Sequence, residues 1–84
     1  MKNDIMLTTT ETIPGKELEI LGMVRGEGIQ TNSFSKARAD ATKNMVKVAQ
    51  NKQADAIISI RYASSPRIKE KAEILAYGTA VKFK

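Results

Sequence analysis

A chain of 84 residues without cysteine or histidine is long enough for one domain and lacks several kinds of site. Disulfide bonds are excluded, and so are the cysteine and histidine sets that bind most structural zinc or copper. A Ser-His-Asp triad and a cysteine nucleophile are excluded for the same reason. The net charge of +5 favours anionic partners, although it also lies within the ordinary range for a soluble domain.

A domain of this size buries only about 60–65% of its unfolded surface, so association between copies is the expected additional source of stability. The N-terminal stretch lacks the apolar core of a secretory signal. No run approaches the roughly 18 apolar residues of a membrane span. We therefore expect one domain over residues 1–84, in a cytoplasmic protein that does not enter a membrane.

Two strands are predicted before any helix. Ile5–Thr10 has the β-branched composition of a short strand, and Leu18–Ile29 has that of a longer one. Pro14 followed by Gly15 predicts a type II turn between them. Three glycines in the longer strand indicate a strong bend, as at a barrel corner. Alternation divides this strand between one face with Leu18, Ile20, Gly22 and Val24 and another with Glu19, Leu21, Met23 and Arg25.

A helix is predicted next, ending near Gln53 without a glycine to mark its end. Ser33 or Ser35 can cap its N-terminus by accepting a backbone hydrogen bond. The apolar spacing changes here from two residues to three and four, which is typical of an amphipathic helix. The predicted apolar stripe consists of Phe34, Ala37, Ala41, Met45, Val48 and Ala49.

Two more strands are predicted, over Ala54–Ser64 and Ala72–Phe83, joined by a turn at Ser64–Arg67 and a charged connection, Arg67–Lys71. In the first of these strands the predicted faces are Ala56, Ile58, Ile60 and Tyr62 against Ile57, Ser59, Arg61 and Ala63. In the last strand a small-residue face alternates with a bulky one, so neither face is polar. The bulky face consists of Leu75, Tyr77, Thr79, Val81 and Phe83.

The predicted fold is α+β with the order β-β-α-β-β, an antiparallel-rich sheet and one helix on one face. One helix covers one face of a small sheet, which leaves the other apolar face without cover. That face is predicted to include Leu75, Tyr77, Val81 and Phe83 together with Leu21, Met23 and Ile57. Closing the strands of several subunits into a shared barrel would bury this face and remove the open edges. We therefore expect a homo-oligomer; a monomer with a partly wet sheet face is the alternative.

No residue pattern predicts catalysis, and the chain is expected not to be an enzyme. Glu17 and Glu19 could hold a hard cation, although a solvated strand edge is the favoured interpretation. The Gly26-Glu27-Gly28 sequence lacks the remaining residues of a nucleotide-binding loop. Ser33 and Lys36 are three residues apart, but a helix cap explains their placement.

Two basic groups give candidate binding surfaces. Lys36, Lys43 and Lys47 form one helical stripe that could contact nucleic-acid phosphates, although a solvated helix face is favoured. Arg61 lies in mid-strand and must find partners, either in a barrel interior or, as we prefer, across a subunit interface. Strand position suggests one ligand-lining set, which consists of Arg25, Arg61, Tyr77 and Thr79.

Several segments of the chain resemble the YbjQ-like family, whose members are described as heavy-metal-binding. The similar segments are Leu7–Thr10, Ile13–Gly15, Leu21–Gly26, Ala54–Tyr62 and Glu73–Val81. This resemblance covers most of the chain and implies a dodecin-like two-layer fold. It also implies a homopentamer whose strands form a barrel, with a metal ion as ligand.

Two departures from the family pattern affect these expectations. Longer relatives carry a glycine-rich excursion before the helix, where only Glu27–Ser35 remains here. Relatives often have glycine near the helix end, where this chain has Asn51-Lys52-Gln53. Without cysteine, histidine or clustered acids, the residues themselves give the metal role no support.

The leading hypothesis is a non-enzymatic homo-oligomer that binds a metal ion or small ligand at subunit interfaces or in a central channel. The alternative is a protein that binds nucleic acid or another anionic partner through the lysine stripe, repeated around a ring.

Overall fold

The computed structural model describes residues 5–30, 34–65 and 72–84, which form one helix and a four-stranded sheet. The elements are β1 (Met6–Leu7), β2 (Leu18–Gln30), α1 (Phe34–Asn51), β3 (Ala56–Ser65) and β4 (Ala72–Phe83). The sheet order is β1-β3-β4-β2, with antiparallel pairing on both sides of β4 and a parallel pair between β1 and β3. The predicted α+β class and element order are confirmed, and the sheet is mixed.

Some of the predicted features lie outside the described residues. They are the proposed cap Ser33 and the connection over residues 66–71. Among the described residues, no helix is long and apolar enough to cross a membrane.

The N-terminal segment runs along the edge of β3. Its ladder covers only Met6–Leu7, which is shorter than the predicted Ile5–Thr10. Backbone bonds nevertheless continue past it, because the amide of Ser59 donates to the carbonyl of Thr10 at 2.9 Å. The segment therefore covers part of an edge that would otherwise be open.

The turn that follows has the predicted conformation. The amide of Lys16 donates to the carbonyl of Ile13 at 3.1 Å, which closes a four-residue turn. Gly15 adopts a φ of 78°, the value that a type II turn requires at its third position and that glycine accepts without strain. The turn places the start of β2 on the sheet.

A bulge in β2 corrects the predicted faces of that strand. Ile20 pairs with Val81 and Gly22 pairs with Ala80, so Leu21 is an extra residue. Gly22 has a φ of 138° at this point. One extra residue reverses the side on which each later residue lies. Ile20 and Val24, predicted to share a face, therefore lie on opposite sides of the sheet.

A second bulge corrects the predicted faces of β3. The register shifts between Ile58 and Arg61, and Ser59 takes a φ of 57°. Ile60 consequently packs with Ile57 in the core beneath the helix instead of with Ile58. Arg61 is moved to the opposite side of the sheet from Ile57, although regular alternation would put them together.

The helix packs chiefly on β2 and β4, with little contact to β3. A Cβ atom on Gly26 or Gly28 would come within 3.0 Å of helix backbone atoms, including the carbonyl oxygens of Ala41 and Ala37. These glycines therefore allow close approach of the helix backbone, and the barrel corner suggested by the sequence stays a prediction. Of the predicted apolar stripe, Ala37, Ala41, Met45 and Ala49 are fully buried, whereas Val48 is partly exposed and the side chain of Phe34 lies outside the description.

The helix ends at Asn51 in a Schellman motif. The amide of Ala54 donates to the carbonyl of Ala49 at 3.1 Å, and the amide of Gln53 donates to that of Gln50 at 2.9 Å. Gln53 takes the left-handed position with a φ of 62°. Glutamine thus occupies the place that glycine usually fills, and for this reason no composition signal marked the end of the helix.

The sheet has a core on each side. The larger core, beneath the helix, includes Met45, Ile57, Ile60 and Ala76. A smaller core on the other side joins Ile13 to Ala56, Ile58 and Val81, with Leu18 and Phe83 against it. The expectation of an entirely uncovered second face was therefore wrong at this end, because Ile13 covers it. Leu21 and Ile57 also face the helix, contrary to expectation.

Candidate functional site

Three of the four predicted ligand-lining residues form one row across the sheet. Tyr77 on the central strand β4 pairs with Arg25 on β2 and with Arg61 on β3. Directly opposed residues in a sheet lie about 5 Å apart and point to the same side. The row lies on the face opposite the helix, beyond the part that Ile13 covers, and we call it the arginine row.

The fourth predicted residue lies in the next row of the same face. Thr79 pairs with Met23 on β2 and with Ile58 on β3. Thr79 is half-buried beside the smaller core, whereas Met23 is 75% exposed. All four predicted residues thus lie on one face in adjacent rows.

Arg61 satisfies part of its hydrogen-bonding capacity within its own chain. One terminal nitrogen donates to the carbonyl of Thr9 at 3.2 Å and to that of Ile60 at 2.9 Å. The side chain is exposed in the single subunit, so the expected role of Arg61 in a barrel interior or across a subunit interface stays a prediction. These bonds use two of the five guanidinium donors and leave three for a ligand.

Arg25 is the less constrained end of the row. It is exposed, and within the described ranges its guanidinium has no hydrogen bond or ion pair. Tyr77 between the two arginines is half-buried, with its ring held on the central strand. The row therefore presents cationic donors on both sides of a phenol, an arrangement suited to the oxygens of an anion.

The acidic residues do not form a metal site in the part of the chain that the structure describes. No group of three or more acidic side chains converges there. Glu17 and Glu19, the pair considered from the sequence, are both exposed. With no cysteine or histidine in the chain, the donor set does not fit a soft heavy-metal cation.

The lysine stripe lies on the outer surface of the helix. Lys36, Lys43 and Lys47 are exposed and face away from the buried stripe. The flank of the helix is attached to β2, because the Asn44 side-chain amide donates to the carbonyl of Glu27 at 2.7 Å. Because the helix lies on the face opposite the arginine row, both the helix and the sheet separate the stripe from that row.

A groove beside the helix was not found from the sequence. It measures about 220 Å³ and is lined by Arg38, Tyr62, Ala63, Ser64 and Ile74. It lies where the helix, which packs chiefly on β2 and β4, makes little contact with β3. Sequence periodicity gives which side of a helix is buried but not which strands it crosses, so no signal pointed to this groove.

Comparison with known proteins identifies the family. The model of a family described as "Putative heavy-metal-binding" matches residues 31–84. A UPF0145 protein of Alkaliphilus metalliredigens is 43% identical over 102 residues, covering 94% of this chain and 99% of that protein. A UPF0145 protein of Archaeoglobus fulgidus is 33% identical over 108 residues and covers all of both chains.

The first of these alignments also shows that this chain is the shorter one. The alignment with the Alkaliphilus metalliredigens protein has 102 positions, but it includes only 94% of the 84 residues of this chain, which is about 79 residues. About 23 positions of the relative therefore have no counterpart here. The relative is covered almost from end to end, so these positions are internal.

The fold is shared with a solved structure of low sequence identity. A protein of unknown function of the DUF74 family from Pediococcus pentosaceus superposes with a TM-score of 0.83 at 16% identity, covering 95% of this chain and 98% of that one. The chain belongs to the YbjQ family, UPF0145, a family of unknown function that is described as heavy-metal-binding.

Proposed function

We propose that this chain is a non-enzymatic, cytoplasmic homo-oligomer that binds a small anion on the open sheet face, between subunits. The observation that carries the proposal is the pairing of Arg25, Tyr77 and Arg61 in one row on the face without the helix. Two guanidinium groups beside a phenol supply several hydrogen-bond donors, and none of the three groups is negatively charged. Such a group favours an oxyanion with two or more oxygens.

The same residues argue against a metal cation as the ligand. Cations would be repelled by the two guanidinium groups, and the described residues offer no cluster of acids as an alternative. The chain also lacks thiolate and imidazole ligands altogether. The cation suggested by the family description is therefore replaced, in this proposal, by an anion.

Self-association is supported by an exposed apolar surface on an edge strand. Ile20, Met23 and Ile29, all on the open side of β2, are 69%, 75% and 52% exposed. Among the described strands, the 13-residue β2 is also an edge of the sheet, because it pairs only with β4. Pairing β2 of one copy with the far edge of the next would remove both edges, and closing several copies into a barrel would also bury these side chains inside it.

Assembly is tested by the mass of the particle. Native mass spectrometry at micromolar concentration is expected to give a multiple of the 9.2 kDa chain, and the family resemblance makes five copies the expected number. A stable 9.2 kDa species under these conditions would contradict the homo-oligomer.

Anion binding is tested by neutralising the two ends of the arginine row. Arg25→Gln and Arg61→Gln are each expected to weaken sulfate binding, measured by calorimetry, roughly tenfold or more, because a charged hydrogen bond contributes about 1.5–3 kcal/mol. Lys43→Gln is the matched control, since it removes the same charge on the other side of the sheet. Equal weakening by all three variants would indicate general charge attraction and would contradict the site.

The alternative function is binding of nucleic acid by the lysine stripe. It is supported by the exposed, outward position of Lys36, Lys43 and Lys47 and by repetition of the stripe in an oligomer. It requires retention on DNA or RNA that falls steeply with salt and is reduced by Lys43→Gln. Absence of retention at low salt would exclude it.

A further inference from the structure

The geometry points to a second ligand site, for a small organic carboxylate, in the groove between α1 and β3. This site lies on the helix side of the sheet and is separate from the arginine row and from the proposed function. It combines one arginine, a fixed tyrosine, a serine hydroxyl and an apolar floor. The residues concerned are Arg38, Tyr62, Ser64 and Ile74, with Thr42 behind them.

The cation of the site is Arg38. Its guanidinium carbon lies 5.9 Å from the centre of the Tyr62 ring, within the range of a cation–π contact. This contact holds the guanidinium at the mouth of the groove but uses none of its N–H donors. A carboxylate can therefore accept two parallel bonds from Arg38, which is the geometry that a guanidinium favours.

The position of Tyr62 is fixed by a hydrogen-bond chain. The Thr42 hydroxyl donates to the carbonyl of Arg38 at 2.9 Å, so its single proton is already used. The Tyr62 hydroxyl, 2.8 Å from the Thr42 oxygen, must then be the donor of the bond between them. The ring of Tyr62 is thereby held against the helix although it is 43% exposed.

The floor of the groove is apolar. Ile74 is 5% exposed and belongs to the core beneath the helix. Ser64 pairs directly with Ile74 across the strands and adds a hydroxyl at the rim. A ligand with an apolar body would rest on Ile74 and the edge of Tyr62, while its carboxylate meets Arg38 and Ser64.

The size of the groove limits the ligand. Its volume of about 220 Å³ lies below the roughly 300 Å³ at which pockets for drug-sized molecules begin. A compact monocarboxylate fits this volume, whereas a nucleotide does not. Because the groove is open and the ligand is small, we expect a dissociation constant on the order of 1 mM.

Benzoate is a suitable probe, with benzamide as its uncharged counterpart of nearly equal shape. Titration of the intact, ¹⁵N-labelled protein is expected to shift the amide signals of Arg38, Ser64 and Ile74 with benzoate and to leave them almost unchanged with benzamide. Arg38→Gln is expected to weaken benzoate binding at least fivefold. Lys52→Gln removes the same charge just beyond the C-terminal end of α1, where Lys52 is exposed and belongs to neither proposed site, and it is expected to change benzoate binding less than twofold.

A second variant guards against a change in folding. Ser64→Phe fills the groove without removing a charge, and it is expected to abolish the benzoate shifts while the remaining spectrum is preserved. The inference is overturned if benzamide binds as well as benzoate, if Lys52→Gln weakens binding as much as Arg38→Gln, or if the shifts spread over the whole surface. It is also overturned if Ser64→Phe binds benzoate like the unaltered protein.

Discussion

Replacing Gly28 with alanine is expected to destabilise the folded chain by roughly 3 kcal/mol, an effect at the upper end for overpacking. A methyl group at this position would come within 3.0 Å of the Ala37 carbonyl oxygen and the Ala41 amide nitrogen. Both are backbone atoms of α1, so the clash is relieved only if the whole helix moves away from β2. The melting temperature of a domain this size is then expected to fall by about 12 °C or more.

Gly15→Ala is the control for this prediction. The same methyl group at Gly15 meets nothing within 4 Å, but the φ of 78° is unfavourable for alanine. Only backbone strain of about 1–2 kcal/mol is therefore expected there. Thermal or urea unfolding of both variants compares the two effects. If Gly28→Ala is no more destabilising than Gly15→Ala, the helix does not rest on β2 as described.

The parts of the fold that depend on local pattern could be predicted from the sequence. The strand Ala72–Phe83 was predicted with its observed bounds because its small and bulky faces alternate without interruption. The turn at Pro14-Gly15 and the buried stripe of α1 also follow from short-range rules, namely fixed φ values and helical spacing. No tertiary information was required for these elements.

The sides of Leu21 and Ile57 show where such rules fail. Arg25 follows Leu21 by four residues, and Arg61 follows Ile57 by four. In regular strands, Arg25 would therefore lie on the same side as Leu21, and Arg61 on the same side as Ile57. Leu21 and Ile57 face the helix. It is the two bulges that bring both arginines to the open face, and the second occurs at a serine with positive φ, which carries no clear sequence signal.

Long-range placement explains the remaining differences. Ile13 was read only as part of a turn, yet it covers the smaller core, because the chain before β2 crosses the end of the sheet. The groove at Arg38 depends on which strands the helix crosses. Neither property is encoded in periodicity, which gives the buried side of an element but not its neighbour.

Two methionines provide the second large prediction. Met45 is fully buried at the centre of the larger core, so Met45→Ala is expected to lower the free energy of unfolding by about 2–5 kcal/mol. Met23 is 75% exposed on β2, and Met23→Ala is expected to change the stability of the single chain by less than about 0.5 kcal/mol. Urea unfolding at low protein concentration measures the stability of both variants. The two are directly comparable because each replaces a methionine with alanine.

The dependence of stability on protein concentration distinguishes a side chain buried within one subunit from a side chain buried between subunits. If β2 forms the subunit interface, Met23 is buried on assembly and Met23→Ala lowers stability progressively more as concentration rises, because association stabilises only the folded state. Met45→Ala is expected to keep a nearly constant cost over the same range, since it acts within each subunit. Should Met23→Ala retain the native mass and the concentration dependence of the unaltered chain, the open face of β2 is not the interface, and the arginine row would then be an exposed site on each subunit.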